Sequence, residues 1–537
     1  MSVPATSEPP VLPAPAYERR WWMLLVLCLS VLLVTIDNTI VNVALPTLSR
    51  DLHASTSNLQ WIVDAYTLVF AGLLLVAGHL GDRFGRRRML QVGLVLFGLT
   101  SLAAANAGST DQLIAGRAAM GVAAALVYPA TLGLLSNIFT DSRERATAIG
   151  IWSGISGLAV ALGPVSGGLL LERFSWNAVF LVNVPLVVIA LAAGWRLLPE
   201  SRDGHPGRFD LGGAVGSIAG IGTLVWTVIE APNNGWTSTT TILGLAISAV
   251  LLTVFVRWET RRTNPLLDVR LFANARFSAA SFAITAAFFG LFGFIFLITQ
   301  YFQTVRGYDT LEAGLATLPF ALVTGALSPV AILLMKRLGT TRVVTLGLVL
   351  MSAGFLVAAG SGVDSAYWGR IVGSMTLMAA GLALTAGPAT DAVMGALPRA
   401  KAGAGSAVND TTREVGGTLG VAVVGSVMSS IYGPRLADAL SSLGVPAPSV
   451  DAARESVVAG LAVVGQLPAS AQAAAGSAVR EAFMDGLQAG SLIAAATTFL
   501  AAIAVLIFLP ARHRTEAPSK APAEAPTAPP AEALTTS

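Results

Sequence analysis

Long apolar runs separated by short polar segments dominate this chain of 537 residues. A transmembrane helix needs roughly 20 predominantly apolar residues, and fourteen runs of about that length follow one another along the chain. Numbered in order, they lie at about 22–45, 59–80, 89–107, 112–137, 146–171, 178–198, 211–230, 239–258, 277–302, 312–335, 342–361, 366–390, 403–431 and 487–510. The pattern predicts an all-α protein that crosses a membrane fourteen times.

Basic residues give these runs an orientation. Lys and Arg accumulate on the cytoplasmic side of membrane proteins. With the N-terminus placed inside, most of the 33 lysines and arginines fall in inside segments. We therefore predict a multi-pass protein of the cytoplasmic (inner) membrane with both termini in the cytoplasm. Residues 1–20 form the leading cytoplasmic segment, and the Pro/Ala-rich tail 511–537 is expected to be disordered.

Two weak internal sequence similarities predict two related halves. The loop Lys336–Arg342 after the tenth run is weakly similar in sequence to the loop Gly81–Arg88 after the second run. The Gly/Pro cluster of the fifth run is echoed by Gly416–Gly417 in the thirteenth. Because both echoes are offset by eight helices, we predict two six-helix halves with helices 7 and 8 inserted between them. The predicted ranges are 21–198 for the N-terminal half, 199–275 for the insert, and 276–510 for the C-terminal half with an outer loop at 432–486.

Composition excludes several classes of function. Hydrophobic residues make up 54% of the chain and charged residues 12%, with a net charge of +3 and mean hydropathy of +0.70. The small net charge gives no reason to expect nucleic acid as a partner. The single cysteine, Cys28, cannot build a thiolate metal site. Without a nucleophile–base pair or nucleotide-binding loop, the sequence predicts a protein that is not an enzyme, holds no metal or cofactor and needs no ATPase.

Three charged residues lie inside apolar runs at a similar predicted depth. Asp37, Asp64 and Arg117 are each about 7–8 Å from the outer membrane face at 1.5 Å per residue. A charge in mid-helix costs about 2.5–3.5 kcal/mol on insertion scales, so it usually faces a cavity or a partner. The proton affinity of a carboxylate depends on its burial and on nearby cations. We interpret the three residues as a proton-coupling group; the alternative is a static ion pair that only orders the helices.

A second polar group lies near the middle of the thirteenth run. It contains Asn409, Asp410, Arg413 and Glu414. Adjacent residues point about 100° apart on a helix, so Arg413 and Glu414 are expected to have different partners. The candidates for substrate or cavity contacts are Asn42, Asp410, Arg413 and Glu414.

Two glycine-containing segments suggest moving parts. The loop after the second run is a candidate conformational gate, in which glycines allow a tight turn and Asp82 pairs with an arginine or a helix N-terminus; its residues are Gly78, Gly81, Asp82, Arg83, Gly85, Arg86 and Arg87. The fifth run supplies small residues for close helix packing, with a proline in mid-helix; these are Gly157, Gly163, Pro164, Gly167 and Gly168. The alternatives are an ordinary basic loop and ordinary tight packing.

These motifs together resemble a known family. The gate loop is similar to the signature loop of the major facilitator superfamily, and the fifth run to the antiporter motif of its drug exporters. The segment from Asp37 to Pro46 resembles the first helix of the fourteen-span drug:proton antiporters. The likeness covers nearly all of residues 20–510. It implies Asp37 and Asp64 as proton or cation sites and Arg117 as the arginine tied to coupling.

The expected function is a proton-coupled secondary exporter of hydrophobic or cationic drugs that works by alternating access, with the proton gradient as its energy source. Its expected partners are a small-molecule substrate, protons and the bilayer. Two alternatives stay open: a proton-coupled symporter for uptake of a small organic solute, and a non-transporting membrane sensor.

Overall fold

The computed structural model describes residues 18–202, 210–263, 265–396 and 402–509. Those residues form helices and loops, and no strand occurs among them. A helix occupies each of the fourteen predicted runs, because in lipid the backbone must satisfy its hydrogen bonds within the segment. The predicted segments up to residue 17 and after residue 509 lie outside the described residues.

The N-terminal half contains six helices, and two more follow before the second half. Their bounds are α1 Arg20–Asp51, α2 Thr56–Phe84, α3 Arg86–Ala105, α4 Thr110–Ile138, α5 Ser142–Arg173, α6 Ala178–Leu197 with a break at Val182, α7 Leu211–Asn234 and α8 Thr239–Arg261. Serine side chains cap several of these helices; Ser55 and Ser109, for example, accept the backbone N–H groups of Asn58 and Gln112.

The C-terminal half repeats the pattern and carries two short helices in its outer loop. Its helices are α9 Ala275–Val305, α10 Thr310–Leu338, α11 Thr340–Ala359, α12 Tyr367–Gly395, α13 Ala402–Ser442, α14 Ala447–Arg454, α15 Val457–Gln466 and α16 Ala469–Phe508. Here α16 is the fourteenth long helix. The prediction that Val457–Gln466 is too short to span a membrane agrees with the ten residues of α15.

Most of these helices meet the requirements of a membrane span. Within the described residues, twelve are long and apolar enough to cross a membrane, and the bent helix α2 makes a thirteenth. The protein is therefore a multi-pass membrane protein. The number fourteen stays a prediction, since α5 does not enter that count.

Packing in the two halves follows one pattern. In the N-terminal half α1 packs on α4, α5 and α6, α2 on α4, and α3 on α4 and α6. The C-terminal half repeats these pairs at an offset of eight long helices, so that α16, the fourteenth long helix, corresponds to α6. Here α9 packs on α12, α13 and α16, α10 packs on α12, and α11 packs on α12 and α16. The halves meet through α2 against α13 and through the corresponding pair, α10 against α5. This agrees with the predicted six-helix repeat, while the exact domain limits stay a prediction.

The inserted pair α7–α8 lies against one side of this arrangement. α7 packs on α2 and α13, while α8 packs mainly on α7. At the end of the pair predicted to face the cytoplasm, the Trp258 indole donates to Asp210 at 3.0 Å, and the Arg262 guanidinium stacks 4.0 Å from the Trp258 ring centre. The insert therefore covers one of the two seams between the halves.

Two helices extend beyond the predicted apolar runs. The thirteenth run was expected to end near 431 and the fourteenth to begin near 487, but α13 continues to Ser442 and α16 begins at Ala469. The segments concerned are rich in alanine, which has a high helix propensity in water as well as in lipid. The predicted outer loop 432–486 is thus mostly helical.

Candidate functional site

A buried ion pair joins α1 to α4. The Arg117 guanidinium donates from Nη1 to Asp37 Oδ2 at 2.5 Å, and both side chains are 0% exposed. Arg117 Nε also donates to the Ile62 carbonyl of α2 at 3.0 Å. The Tyr66 ring lies against the guanidinium, with 4.2 Å between Cζ and the ring centre. The structure thus brings together two of the three charges that the sequence placed at one depth.

Asp64 lies apart from this pair. It is 0% exposed on α2, and neither of its carboxylate oxygens has a hydrogen-bond partner among the described residues. Its neighbours one turn away face the C-terminal half. Gln60 donates to the Val421 and Ala422 carbonyls at 3.2 and 2.9 Å. Asp64 is therefore a second, separate buried acid.

Sequence reasoning missed Asn183, the second partner of Asp37. Its amide donates from Nδ2 to Asp37 Oδ1 at 2.7 Å and to Ser101 Oγ of α3 at 3.0 Å. Asn183 is 1% exposed and follows the break in α6. The available signal was an asparagine within an apolar run, which is weaker than a charge.

The glycine motif of α5 lies against the part of α1 that follows Asp37. A Cβ atom on Gly163 would overlap the Thr39 hydroxyl, and one on Gly167 would lie 2.9 Å from Ile40 Cγ1. A Cβ on Gly168 would lie 2.8 Å from the Leu311 Cα of α10. Pro164 is inside the helix beside them. These residues bring α1, α5 and α10 to backbone contact. Gly157 also lies in α5, but its surroundings are outside the description.

The polar group of α13 has contacts inside the C-terminal half. Arg413 donates to Thr390 Oγ1 of α12 at 3.1 Å, and its guanidinium lies 5.3 Å from the Phe288 ring centre. Asp410 accepts from the Asn409 amide at 3.2 Å. Glu414 Oε2 is buried without a partner among the described residues. Arg413 and Glu414 therefore have different surroundings, as their helical spacing indicates.

Two further observations place this group relative to the N-terminal half. Glu414 interacts electrostatically with Tyr66, the residue stacked on Arg117. The Thr418 hydroxyl, one turn along α13, donates to Thr67 Oγ1 of α2 at 3.0 Å. Glu414 therefore lies one turn from the contact that α13 makes with α2. By contrast, Asn42 donates to the Asn38 and Thr39 carbonyls of its own helix.

The candidate gate loop is held together inside the N-terminal half. Asp82 accepts from Arg86 Nη2 at 2.7 Å, so the expected aspartate–arginine pair is present. Arg86 Nη1 also donates to the Gly133 carbonyl of α4 at 3.2 Å. Arg87 donates to the Trp195 carbonyl of α6 at 2.6 Å. These contacts join α2, α3, α4 and the end of α6.

Glycines and arginines of the gate differ in their environment. Gly85 has φ of +110°, a backbone conformation that favours glycine, and a Cβ there would lie 2.5 Å from the Glu200 carboxylate. Gly78 and Gly81 have ordinary spacing to Pro129 and Arg86. Arg83 is exposed and lies over the ring of its neighbour Phe84. Only Gly85 is therefore required by the geometry.

Hydrogen bonds between the halves lie toward the ends predicted to face outward. The Thr56 N–H and hydroxyl donate to the Glu455 carbonyl, and Ser49 and Ser456 hydroxyls are 2.9 Å apart. In the middle of the bundle Thr67 and Thr418 are the deepest such pair. This distribution is typical of a bundle closed on its outer side.

Curated proteins of similar sequence include three bacterial examples. The chain is 38% identical to the multidrug efflux pump LfrA of Mycolicibacterium smegmatis, covering 91% of this chain and 96% of that one. It is 33% identical to the tetracenomycin C resistance and export protein of Streptomyces glaucescens, covering 94% of each. It is 34% identical to the methyl viologen resistance protein SmvA of Salmonella typhimurium, covering 87% and 93%.

Solved structures share the fold at lower sequence identity. A bacterial homologue of the human lysosomal transporter Spinster, in an inward-facing conformation, superposes with a TM-score of 0.64 at 18% identity, covering 92% of this chain and 98% of that one. The xylose transporter XylE of E. coli gives 0.56 at 13% identity, covering 92% and 98%. The family model described as Major Facilitator Superfamily matches residues 27–421. The chain belongs to the major facilitator superfamily, as the gate loop and the first-helix segment indicated.

Proposed function

We propose that this protein exports lipophilic or cationic small molecules from the cytoplasm in exchange for protons. The observation that carries the proposal is the Asp37–Arg117 pair, which is 0% exposed within the helices of a membrane protein. Breaking such a pair leaves a charge without compensation in the interior. A proton on Asp37 neutralises the carboxylate and removes its attraction to Arg117, so proton binding and the geometry of the pair are linked. The similar proteins are an efflux pump and two drug-resistance proteins, one of them also named for export, and this supports export as the direction.

Asp64 supplies a second proton-binding group in this proposal. An ionised carboxylate without partners is costly to bury, so Asp64 carries a proton in the conformation described here. Asp37 is ionised and paired in the same conformation. In this conformation, therefore, Asp64 is protonated and Asp37 is not. Movement of one charge through the membrane potential supplies about 2.3 kcal/mol per 100 mV.

The acids of α13 are the proposed substrate contacts. Asp410 and Glu414 lie one turn apart on the same helix, and Glu414 is one turn from the Thr418–Thr67 contact with α2. A cation held by Glu414 therefore acts electrostatically on the pair across the interface between the halves. Substrate binding and proton binding oppose each other in this arrangement, because a nearby cation favours the ionised form of Asp37, and this opposition is what an antiporter requires. Arg413 positions this turn through Thr390, while Asn42 stays a cavity candidate.

The remaining assignments complete the proposal. The gate loop with its Asp82–Arg86 pair closes the cytoplasmic side when the halves rock, and the α5 glycines permit that movement at α1 and α10. The protein lies in the cytoplasmic membrane with both termini inside, and it needs neither a cofactor nor an ATPase.

Accumulation of a fluorescent cationic dye in cells tests this function. Cells producing the wild type are expected to retain several-fold less dye than cells without it, and an uncoupler should remove the difference. Asp37→Asn is expected to abolish export because the amide cannot release a proton. Asp451→Asn is the matched control, since this aspartate is exposed in the outer loop. Full export by Asp37→Asn would contradict the proposal, and dye uptake driven by the gradient would favour a symporter instead.

A further inference from the structure

Asp37 receives one hydrogen bond on each carboxylate oxygen. Arg117 donates to Oδ2, and Asn183 donates to Oδ1 at 2.7 Å. Arg117 comes from α4 and Asn183 from α6, so the carboxylate of α1 is held from two sides. An ionised carboxylate offers only acceptors. Asn183 must therefore present its nitrogen to Asp37.

The orientation of the Asn183 amide is fixed from its other side as well. The Ser101 hydroxyl donates its single hydrogen to the Phe180 carbonyl at 2.8 Å. Ser101 can consequently only accept from Asn183, at 3.0 Å. Both hydrogens of the Asn183 nitrogen are then used, and its carbonyl oxygen is buried without a partner among the described residues. A buried polar atom is left unsatisfied only at a cost, which indicates that the donor function is the one retained here.

Other groups around Asp37 do not duplicate this contact. The titratable side chains facing it are Arg117 from α4 and Tyr66 from α2, whose hydroxyl donates to the Val34 carbonyl. Glu414 of α13 acts on Tyr66 rather than bonding to Asp37. From α5 the approach is made by Gly163 and Gly167, which carry no charge. Asn183 is therefore the neutral donor to the acid among these neighbours.

We propose that Asn183 is a positioning residue that favours the ionised form of Asp37 and so sets the pH range of transport. The inference rests on the proposed proton exchange. A proton on Oδ1 would point its hydrogen at a nitrogen that already donates, so the contact opposes protonation at that oxygen. Without it, Asp37 holds its proton up to a higher pH. The break in α6 lies just before Asn183. Asp37 is therefore also connected to the short segment Ala178–Leu181, because Asn183 bonds to Ser101 and Ser101 donates to the Phe180 carbonyl.

The test compares pH profiles of dye-induced proton release by purified protein in detergent. Asn183→Leu has a similar volume and no donor. We expect its profile to shift toward alkaline pH by roughly one unit or more, the equivalent of one hydrogen bond to a charged group. Asn177→Leu is the matched control, since it removes an amide that donates to the Ala105 carbonyl rather than to Asp37. Its profile is expected to shift by less than half as much.

Three outcomes separate the possibilities. A profile of Asn183→Leu that coincides with the wild type overturns the role of Asn183 while leaving proton exchange intact. An equal shift in Asn177→Leu also overturns it, because loss of packing alone would then explain the effect. If the leucine variant does not elute as a folded protein, Asn183→Ser decides, since its hydroxyl is too short to reach Asp37. Wild-type protein that releases no protons contradicts the proposed function itself.

Discussion

Arg117 makes three kinds of contact in the interior of the N-terminal half. It pairs with Asp37, donates to the Ile62 carbonyl and stacks on the Tyr66 ring. Lysine could not reproduce this set, because it lacks the planar guanidinium that donates in two directions while stacking. The contacts hold α1, α2 and α4 at one point, so the residue that we propose for proton coupling also positions three helices.

Removing the arginine alone should therefore be costly. We expect Arg117→Met to lower the free energy of unfolding by about 3–5 kcal/mol, since Asp37 is left as an uncompensated buried charge. The double variant Arg117→Met/Asp37→Leu should recover most of this loss. Thermal unfolding of the purified proteins measures both effects. Arg454→Met is the control, because its exposed pair with Asp451 contributes at most about 1 kcal/mol. Equal losses in the single and double variants would argue against a paired charge.

The sequence identified this pair because charges are rare in apolar runs and their depth follows from counting residues. Depth does not give direction around the helix, however, so Asp64 was grouped with Asp37 although it has no bond to Arg117. Asn183 was missed for a different reason. A neutral amide in a membrane run gives no charge signal, and its role depends on the break in α6 and on Ser101 in a separate helix.

At the scale of elements, the existence of each helix followed from apolar length, but the helix ends did not. α13 has 41 residues and α16 has 40, well beyond the roughly 20 needed to cross a membrane. A hydropathy count ends where polarity rises, whereas an alanine-rich helix continues into water. The packing of α5 could be anticipated from its glycines, but not which partner each glycine meets.

The contacts of α5 give a matched pair of substitutions. A Cβ on Gly168 would collide with the backbone of α10, whereas one on Gly154 has no neighbour within 4 Å. Overpacking costs typically about 1–3 kcal/mol, equivalent to roughly a five- to 150-fold change between conformations. We expect Gly168→Ala to shift the protein toward an outward-open state and Gly154→Ala to leave it unchanged.

Distances between spin labels at Asp51→Cys and Asp451→Cys report this shift, because these exposed residues lie in different halves on the side predicted to face outward. The distribution should move to longer distances in Gly168→Ala. The native Cys28 is buried, and a Cys28→Ser background removes it as a label site. The same distribution in both glycine variants would show that α5 and α10 do not set the outer closure.

For the whole molecule, the repeat explains how the halves close. The packing of α2 on α13 and of α10 on α5 are equivalent under the eight-helix offset, and the interhalf hydrogen bonds lie from the middle of the bundle to its outer end. The weak similarity between the gate loop and Lys336–Arg342 predicted this offset of eight helices. No sequence pattern indicated that the loop holding α14 and α15 would reach the N-terminal half. That contact depends on single hydroxyl and carbonyl groups, which belong to Ser49, Thr56, Glu455 and Ser456.

That contact allows the outer closure to be locked. Ser49 and Ser456 hydroxyls are 2.9 Å apart across the halves, a separation that a disulfide can bridge with small side-chain adjustments. We expect the oxidised Ser49→Cys/Ser456→Cys protein in a Cys28→Ser background to bind dye from the cytoplasmic side but not to export it, because alternating access requires this end to open. Reductant should restore export, and each single cysteine variant should export in both redox states. Export by the cross-linked protein would mean that the outer loop moves together with the N-terminal half. The pathway to the outer side would then open at a place other than the contact between α1 and α15.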